Sequence, residues 1–203
     1  MRQLKISKQI TDRSEQNVDK YLSEISKEGM ISPEEEVELA KKIKSGDQEA
    51  ADKLVRANLR FVVSVAKQYQ HCGLSLSDLI NEGNMGLIKA AEKFDETTGF
   101  KFISYAVWWI RQSIVQALNQ YSRIIRIPHN QIVIANKATK HSNLLEQKYE
   151  RKPLPEELSE SIDIEKNKLT QLMMSYRKHK SVDEPVAQEE DNKFSDFMKD
   201  NKT

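Results

Sequence analysis

Five aromatic side chains, Phe100, Phe102, Tyr105, Trp108 and Trp109, fall within residues 99–114, and no acid interrupts the run. Both tryptophans of the chain are among them, with Lys101 and Arg111 alongside. Rings interleaved with cations suit unpaired nucleic acid: bases stack on the rings at about 1–3 kcal/mol each while the cations hold phosphates. The competing interpretation is an ordinary aromatic core. On a helix Trp108 and Trp109 lie about 100° apart, so both are fully buried only if the helix is surrounded. Ala106, Ile110, Ile114 and Leu118 already form an apolar stripe at helical spacing, which leaves part of the aromatic set facing outward. Tyr105, Trp108, Trp109 and Gln112 are neighbours by the three- and four-residue rule, as are Trp108 and Arg111.

Charge distribution supports the same chemistry. The net charge is only +1, yet residues 97–145 contain no Asp or Glu and carry Lys101, Arg111, Arg123, Arg126, Lys137 and Lys140. The C-terminal stretch reverses the sign, with Asp183, Glu184, Glu189, Glu190, Asp191, Asp196 and Asp200 outweighing its lysines. Blocks of one sign say more about partners than the total does.

Other chemistries find little support. No Gly-rich phosphate loop with a Lys-Ser/Thr pair is present. The four histidines, His71, His129, His141 and His179, are scattered, so no metal site can be assembled from them. His71-Cys72 reads as a surface pair at a helix end, and a lone cysteine forms no disulfide within the chain. We therefore expect no catalysis, no cofactor, no metal, no small-molecule substrate and no membrane insertion, in a cytoplasmic protein. Between residues 76 and 93 lies a second oddity. Asp78 and Glu82 are like charges four apart, Asn81, Asn84 and Met85 share that side, and Gly83 and Gly86 interrupt the pattern. Each such glycine costs up to about 1 kcal/mol relative to Ala, which points to something packed closely against the helix.

The elements that must position these residues are helical. Apolar residues make up 38% and charged residues 31%, with few Gly and Pro, the balance of a helix-rich soluble protein. Ser32-Pro33-Glu34-Glu35 reads as a helix start, with the helix running to about Lys44. Asp47 caps a long second helix with Leu54, Val55, Leu59, Val62, Val65, Ala66 and Tyr69 at helical spacing, and Gly73 marks its stop. A third helix follows Ser75, burying Leu79, Ile80, Leu87, Ala90, Ala91 and Phe94. A fourth spans about 104–120 and a fifth about 129–151. Shorter ones follow at 156–162 and about 165–178. The expectation is an all-α fold: a loose arm over 1–16, a helical domain over 17–127, a smaller helical domain over 128–180 and an acidic linker over 181–203.

The runs Arg-Ala-Asn-Leu-Arg-Phe-Val-Val-Ser-Val-Ala-Lys (56–67), Asp-Leu-Ile-Asn-Glu-Gly-Asn-Met-Gly-Leu (78–87), residues 99–114 and Arg-Ile-Ile-Arg-Ile-Pro (123–128) closely resemble the core of primary-type bacterial sigma factors, the sigma-70 family. The resemblance covers roughly residue 17 to the C-terminus. It implies a promoter-recognition subunit of RNA polymerase that helps open DNA. Asp78, Asn81, Glu82 and Asn84 would dock on a coiled coil of the polymerase's largest subunit. Phe94, Phe100, Phe102, Tyr105, Trp108 and Trp109 would form the promoter-melting set, Tyr105 stacking near the first flipped adenine of the minus-ten element and the Trp pair bracing the upstream edge of the bubble. Asn58 and Phe61 would line a pocket for a downstream base. Gln112 would read the upstream edge of the element, with Lys101, Arg111, Arg123 and Arg126 on phosphates. The acidic stretch around 191–200 would enter the polymerase active-site cleft.

Several positions depart from the family pattern. Thr98 stands where relatives carry Arg in the adenine pocket, Asp95 replaces a Glu, and Val115 replaces a Thr. Asn130 and Val133 take the positions of a His and a Glu that read the extended minus-ten element. The expectation is also that the C-terminal domain reading the minus-thirty-five element is missing. Two other functional classes remain open: a stand-alone DNA-binding regulator, and a truncated sigma or anti-sigma-type module that occupies polymerase without initiating.

Overall fold

The computed structural model describes residues 16–177, 179–185 and 193–198. The fold is all-α, with eight α-helices among the described residues. The only extended pairing described is an isolated bridge between Pro185 and Lys193. The chain divides into two compact units, one ending at Arg126 and the other beginning at Ile127. Among the described residues no helix is long and apolar enough to cross a membrane.

The first unit holds α1 (Gln16–Ile25), α2 (Pro33–Lys44), α3 (Gln48–Ala66), α4 (Leu76–Lys93) and α5 (Phe102–Tyr121). Local chemistry sets most of their starts. Ser32 Oγ accepts the Glu35 N–H and the Glu35 carboxylate accepts the Ser32 N–H, both at 3.2 Å, so α2 begins on a reciprocal cap behind Pro33. Asp47 and Ser75 cap α3 and α4 through their side-chain oxygens. The helices enclose a core in which Leu54, Val62, Val65, Leu79, Leu87, Phe102, Ile110 and Ile114 are fully buried. The helix α1 was not anticipated from the sequence. Its ten residues bury Val18 and Ile25, with Tyr21 and Leu22 partly covered, an apolar stripe too short to stand out.

The two mid-helix glycines answer the question of what packs so closely. A Cβ on Gly83 would stand 2.5 Å from Val62 Cγ1, and one on Gly86 would stand 2.6 Å from the Trp109 carbonyl oxygen and 2.9 Å from Ile110 Cα. The close partners are α3 and α5 of the chain itself. Backbone therefore presses on backbone where α4 crosses α5, the most extensive helix pairing in the unit.

The second unit holds α6 (His129–Tyr149), α7 (Pro155–Ile162) and α8 (Lys166–Ser175), which pack around Ala138, Leu158, Ile162 and Leu169. The Glu157 carboxylate accepts the Leu154 N–H at 2.9 Å and caps α7. Some boundaries differ from expectation. The helix α6 stops at Tyr149 because Glu150 turns left-handed (φ 54°), and α8 stops at Ser175, short of the expected 178. The helix α5 starts at Phe102, two residues before the expected start. Most of the acidic stretch expected over 181–203, like the arm before residue 16, lies outside the described residues.

Candidate nucleic-acid interface

The aromatic run splits into an inner and an outer set. Phe102 is fully buried and Phe94 nearly so, their rings edge to face at 5.2 Å and 78°. Phe94 also meets Tyr105 at 5.9 Å, and Tyr105 meets Trp109 edge to face at 6.3 Å. This ladder climbs from the core to the half-buried Tyr105 and Trp109. Phe100 and Trp108 stand free of it, at 73% and 57% exposure. Phe94 and Phe102, both assigned to the DNA-contacting rings from sequence, are buried within the first unit.

Cations lie on the two tryptophan rings. Arg111 Cζ is 5.5 Å from the Trp108 centroid and Lys93 Nζ is 4.6 Å from that of Trp109. Such contacts at exposed sites contribute about 0.5–1 kcal/mol and, here, orient the charge beside the ring. The Arg111 charge also acts on the Tyr69 phenol. Burial raises the Tyr69 phenol above its ordinary pKa, and the Arg111 charge partly offsets that rise. Lys101 and Gln112 are exposed on or next to α5. Arg123 and Arg126 follow its end, Arg126 exposed and Arg123 half-buried and engaged. The outer rings, Arg111 and Lys101 therefore share one helix and its entry, whereas the two later arginines lie beyond it on non-helical chain.

The segment leading into α5 is held from α2. Lys44 Nζ reaches Asp95 Oδ1 at 2.8 Å and Glu96 Oε2 at 2.7 Å. Asp95 Oδ1 further accepts the Thr97 N–H and hydroxyl, and the Thr98 hydroxyl donates to the Asp95 carbonyl. The Lys44 hydrogen bond, helped by those from Thr97, brings Asp95 down to about 2 and Lys44 upward, and the same contact lowers Glu96. Gly99 closes the turn with φ 70°, a left-handed geometry that glycine adopts without strain. Lys101, at the N-cap of α5, supplies no side-chain cap. Instead Glu36 of α2 accepts the Phe102 N–H at 3.3 Å. That tertiary cap explains the early start of α5.

A cavity of about 390 Å³ opens between α2, α3 and α5, lined by Met30, Ile31, Glu36, Ala57, Asn58, Arg60, Phe61 and Ile103. Asn58 and Phe61 share this wall. Asn58 is the one described polar side chain in the core, with its amide donating to the Leu54 carbonyl at 2.8 Å. On α4, Asp78 and Asn81 are exposed and Glu82 half-buried, next to exposed Met85 and Ile88. Asn84 is half-buried, and its amide donates to the Tyr21 hydroxyl of α1 at 3.2 Å. Sequence reasoning missed Lys93, Tyr69, Glu36 and Lys44. Only Lys93, one residue before Phe94, stood close enough in sequence to be found.

Three consecutive stretches match the sigma-70 family: its region 1.2 over residues 17–49, region 2 over 54–124 and region 3 over 135–203. The chain belongs to the sigma-70 family. The RNA polymerase sigma factor SigA of Clostridium acetobutylicum is 47% identical over 180 residues, covering 89% of this chain and 48% of the relative. A SigA from a Bacillus species is 45% identical over the same span and shares. The chain thus spans about half the length of these relatives. In sigma-70 terms the rings and cations of α5 belong to the region 2 match. Glu36 and Lys44, which hold the approach to α5, belong to region 1.2.

Proposed function

We propose that this chain acts in transcription initiation, binding core RNA polymerase and promoter DNA, recognising the minus-ten element and stabilising the melted non-template strand without catalysing a reaction. The observation that carries this reading is the pair of outward rings, Phe100 and Trp108, set beside Lys101 and Arg111 on an acid-free helix and the two residues that lead into it. Separating bases costs a few kcal/mol each, and stacking on such rings offsets it. The cavity holding Asn58 and Phe61 has room for a second unstacked base. Asp78, Asn81 and Glu82, continued by Met85 and Ile88, offer an acidic and apolar strip for the coiled coil of the polymerase's largest subunit. The acidic stretch over 181–203 is assigned to the active-site cleft of the polymerase.

The test is abortive transcription by core polymerase from a promoter with a strong minus-ten element. The chain is expected to stimulate promoter-dependent short products, and replacing both Trp108 and Trp109 with Ala to abolish bubble formation while core binding persists. Absence of core binding and of stimulation would sink the proposal. Tight duplex binding without polymerase would point to a stand-alone regulator, and core binding without initiation to an occupying module.

A further inference from the structure

One helix holds both ends of the segment that carries Phe100 to the surface. At the leading end Lys44, the last residue of α2, bridges Asp95 and Glu96 at 2.8 and 2.7 Å. At the trailing end Glu36, two turns earlier on α2, takes the Phe102 N–H at 3.3 Å. Between these points the turn is closed by Asp95 with Thr97, by Thr98 and by Gly99. The segment contains no cation between Lys93 and Lys101. Two carboxylates therefore lie within five residues of Phe100, and the Glu96 side chain is only 11% exposed, which makes a partner for it necessary.

We infer that Lys44 is a positioning residue for the single-strand interface, neutralising Asp95 and Glu96 and fixing the turn that presents Phe100. The inference rests on the strand-binding reading above. The Lys44–Asp95 pair is about half exposed and adds little to global stability, while the covered Glu96 contributes more, so strand binding is the readout that distinguishes a positioning role. Without Lys44 the two carboxylates become uncompensated charges beside the ring on which a base stacks, and they repel the phosphates that follow it. Repulsion of this kind is strongest at low salt.

The experiment uses the full chain and a short, fluorescein-labelled, A/T-rich single strand of DNA. Lys44→Met is expected to weaken binding at low salt on the order of threefold to tenfold, the scale of one interfering charge near a phosphate. Lys44→Arg keeps the affinity. In an Asp95→Asn, Glu96→Gln background Lys44→Met has no further effect. Equal loss in both backgrounds means that Lys44 contacts the strand directly and overturns the inference, as does unchanged affinity in the Lys44→Met variant. A second readout needs no DNA: 4-fluorophenylalanine is incorporated and the Phe100 resonance assigned by its loss in Phe100→Leu. That line is expected to broaden or split in Lys44→Met and to sharpen again in Lys44→Arg, and an unchanged line also overturns the inference. If the unaltered chain binds no single strand, the functional proposal has failed, and the fluorine spectrum alone decides whether Lys44 holds the turn.

Discussion

The Arg111 guanidinium lies over the exposed ring of Trp108, 5.5 Å from its centroid, and its charge also acts on the Tyr69 phenol. The charge thus lies beside a ring available to a base and near Tyr69, just beyond the end of α3. Replacing Arg111 with Ala removes a phosphate contact together with the brace on Trp108. Single-strand affinity is expected to fall and the slope of its logarithm against the logarithm of salt to flatten by about 0.7, the value of one phosphate on a single strand. Arg111→Lys keeps the charge but loses the planar stack, so it restores the slope and only part of the affinity. A titration at several salt concentrations reads both.

Phe100 and Phe102 are two residues apart and play opposite parts. Phe102→Ala empties a fully buried site and is expected to cost about 3–5 kcal/mol of stability. Phe100→Ala leaves the melting temperature unchanged and removes stacking of about 1–3 kcal/mol from strand binding. Thermal denaturation and the strand titration, run on both variants, separate the two roles. A stability loss in Phe100→Ala equal to that in Phe102→Ala would refute the division.

Gly86→Ala places a methyl group against the Trp109 carbonyl and Ile110 Cα, both backbone atoms that cannot rotate away. Overpacking of this kind costs about 1–3 kcal/mol. Chemical denaturation is expected to show the loss without a change in slope. The same substitution at the exposed, unconstrained Gly29 serves as the control.

Asp95 is held at about 2 by Lys44 and Thr97, below its ordinary value. A depressed carboxylate contributes stability above its unfolded pKa, near 3.9, and loses that contribution as pH falls through the folded value. The pair should therefore have no effect on the pH dependence of unfolding from neutrality down to about pH 5. Between about pH 4 and 2 the acid limb of the unaltered chain should be steeper than that of Lys44→Met. Parallel limbs would contradict the assignment.

Charge reversal on α4 should act on polymerase alone. Asp78 and Glu82 lie on a different helix from the rings, so replacing both with Lys is expected to abolish binding to core polymerase. Affinity for a single strand should hold or rise slightly. Pull-down of core polymerase beside the strand titration checks this, and loss of both activities would indicate misfolding, visible in the circular dichroism.

Much of the scaffold was legible in the sequence because its signals are local. The reciprocal cap at Ser32 and Glu35, the caps at Asp47 and Ser75, and the apolar stripe through Ile110 and Ile114 all lie within a turn or two of what they specify. The site was legible as a composition and less so as a geometry. Phe102 stands four residues before Ala106, in line with the stripe through Ile110 and Ile114, and is buried with it, whereas Phe100 precedes the helix. What the run does not show is the helix start, where Glu36, 66 residues away, accepts the Phe102 N–H. Lys44 and Asp95 are 51 residues apart, and the partner of the Asn84 amide is Tyr21 of the unanticipated α1, 63 residues away. Tertiary partners of this sort leave no periodic trace.

The absent side chain of Gly86 brings α4 down onto the backbone beneath Trp109 itself. At this crossing point the helix bearing Asp78 and Glu82 and the helix bearing the rings meet backbone to backbone. Such a joint behaves as a spacer block of fixed thickness. Whatever grips α4 sets, to within the play of two backbones in contact, where Trp108 and Trp109 stand, and an enlarged residue at position 86 would act as a shim, shifting the rings relative to the partner while leaving each surface chemically intact.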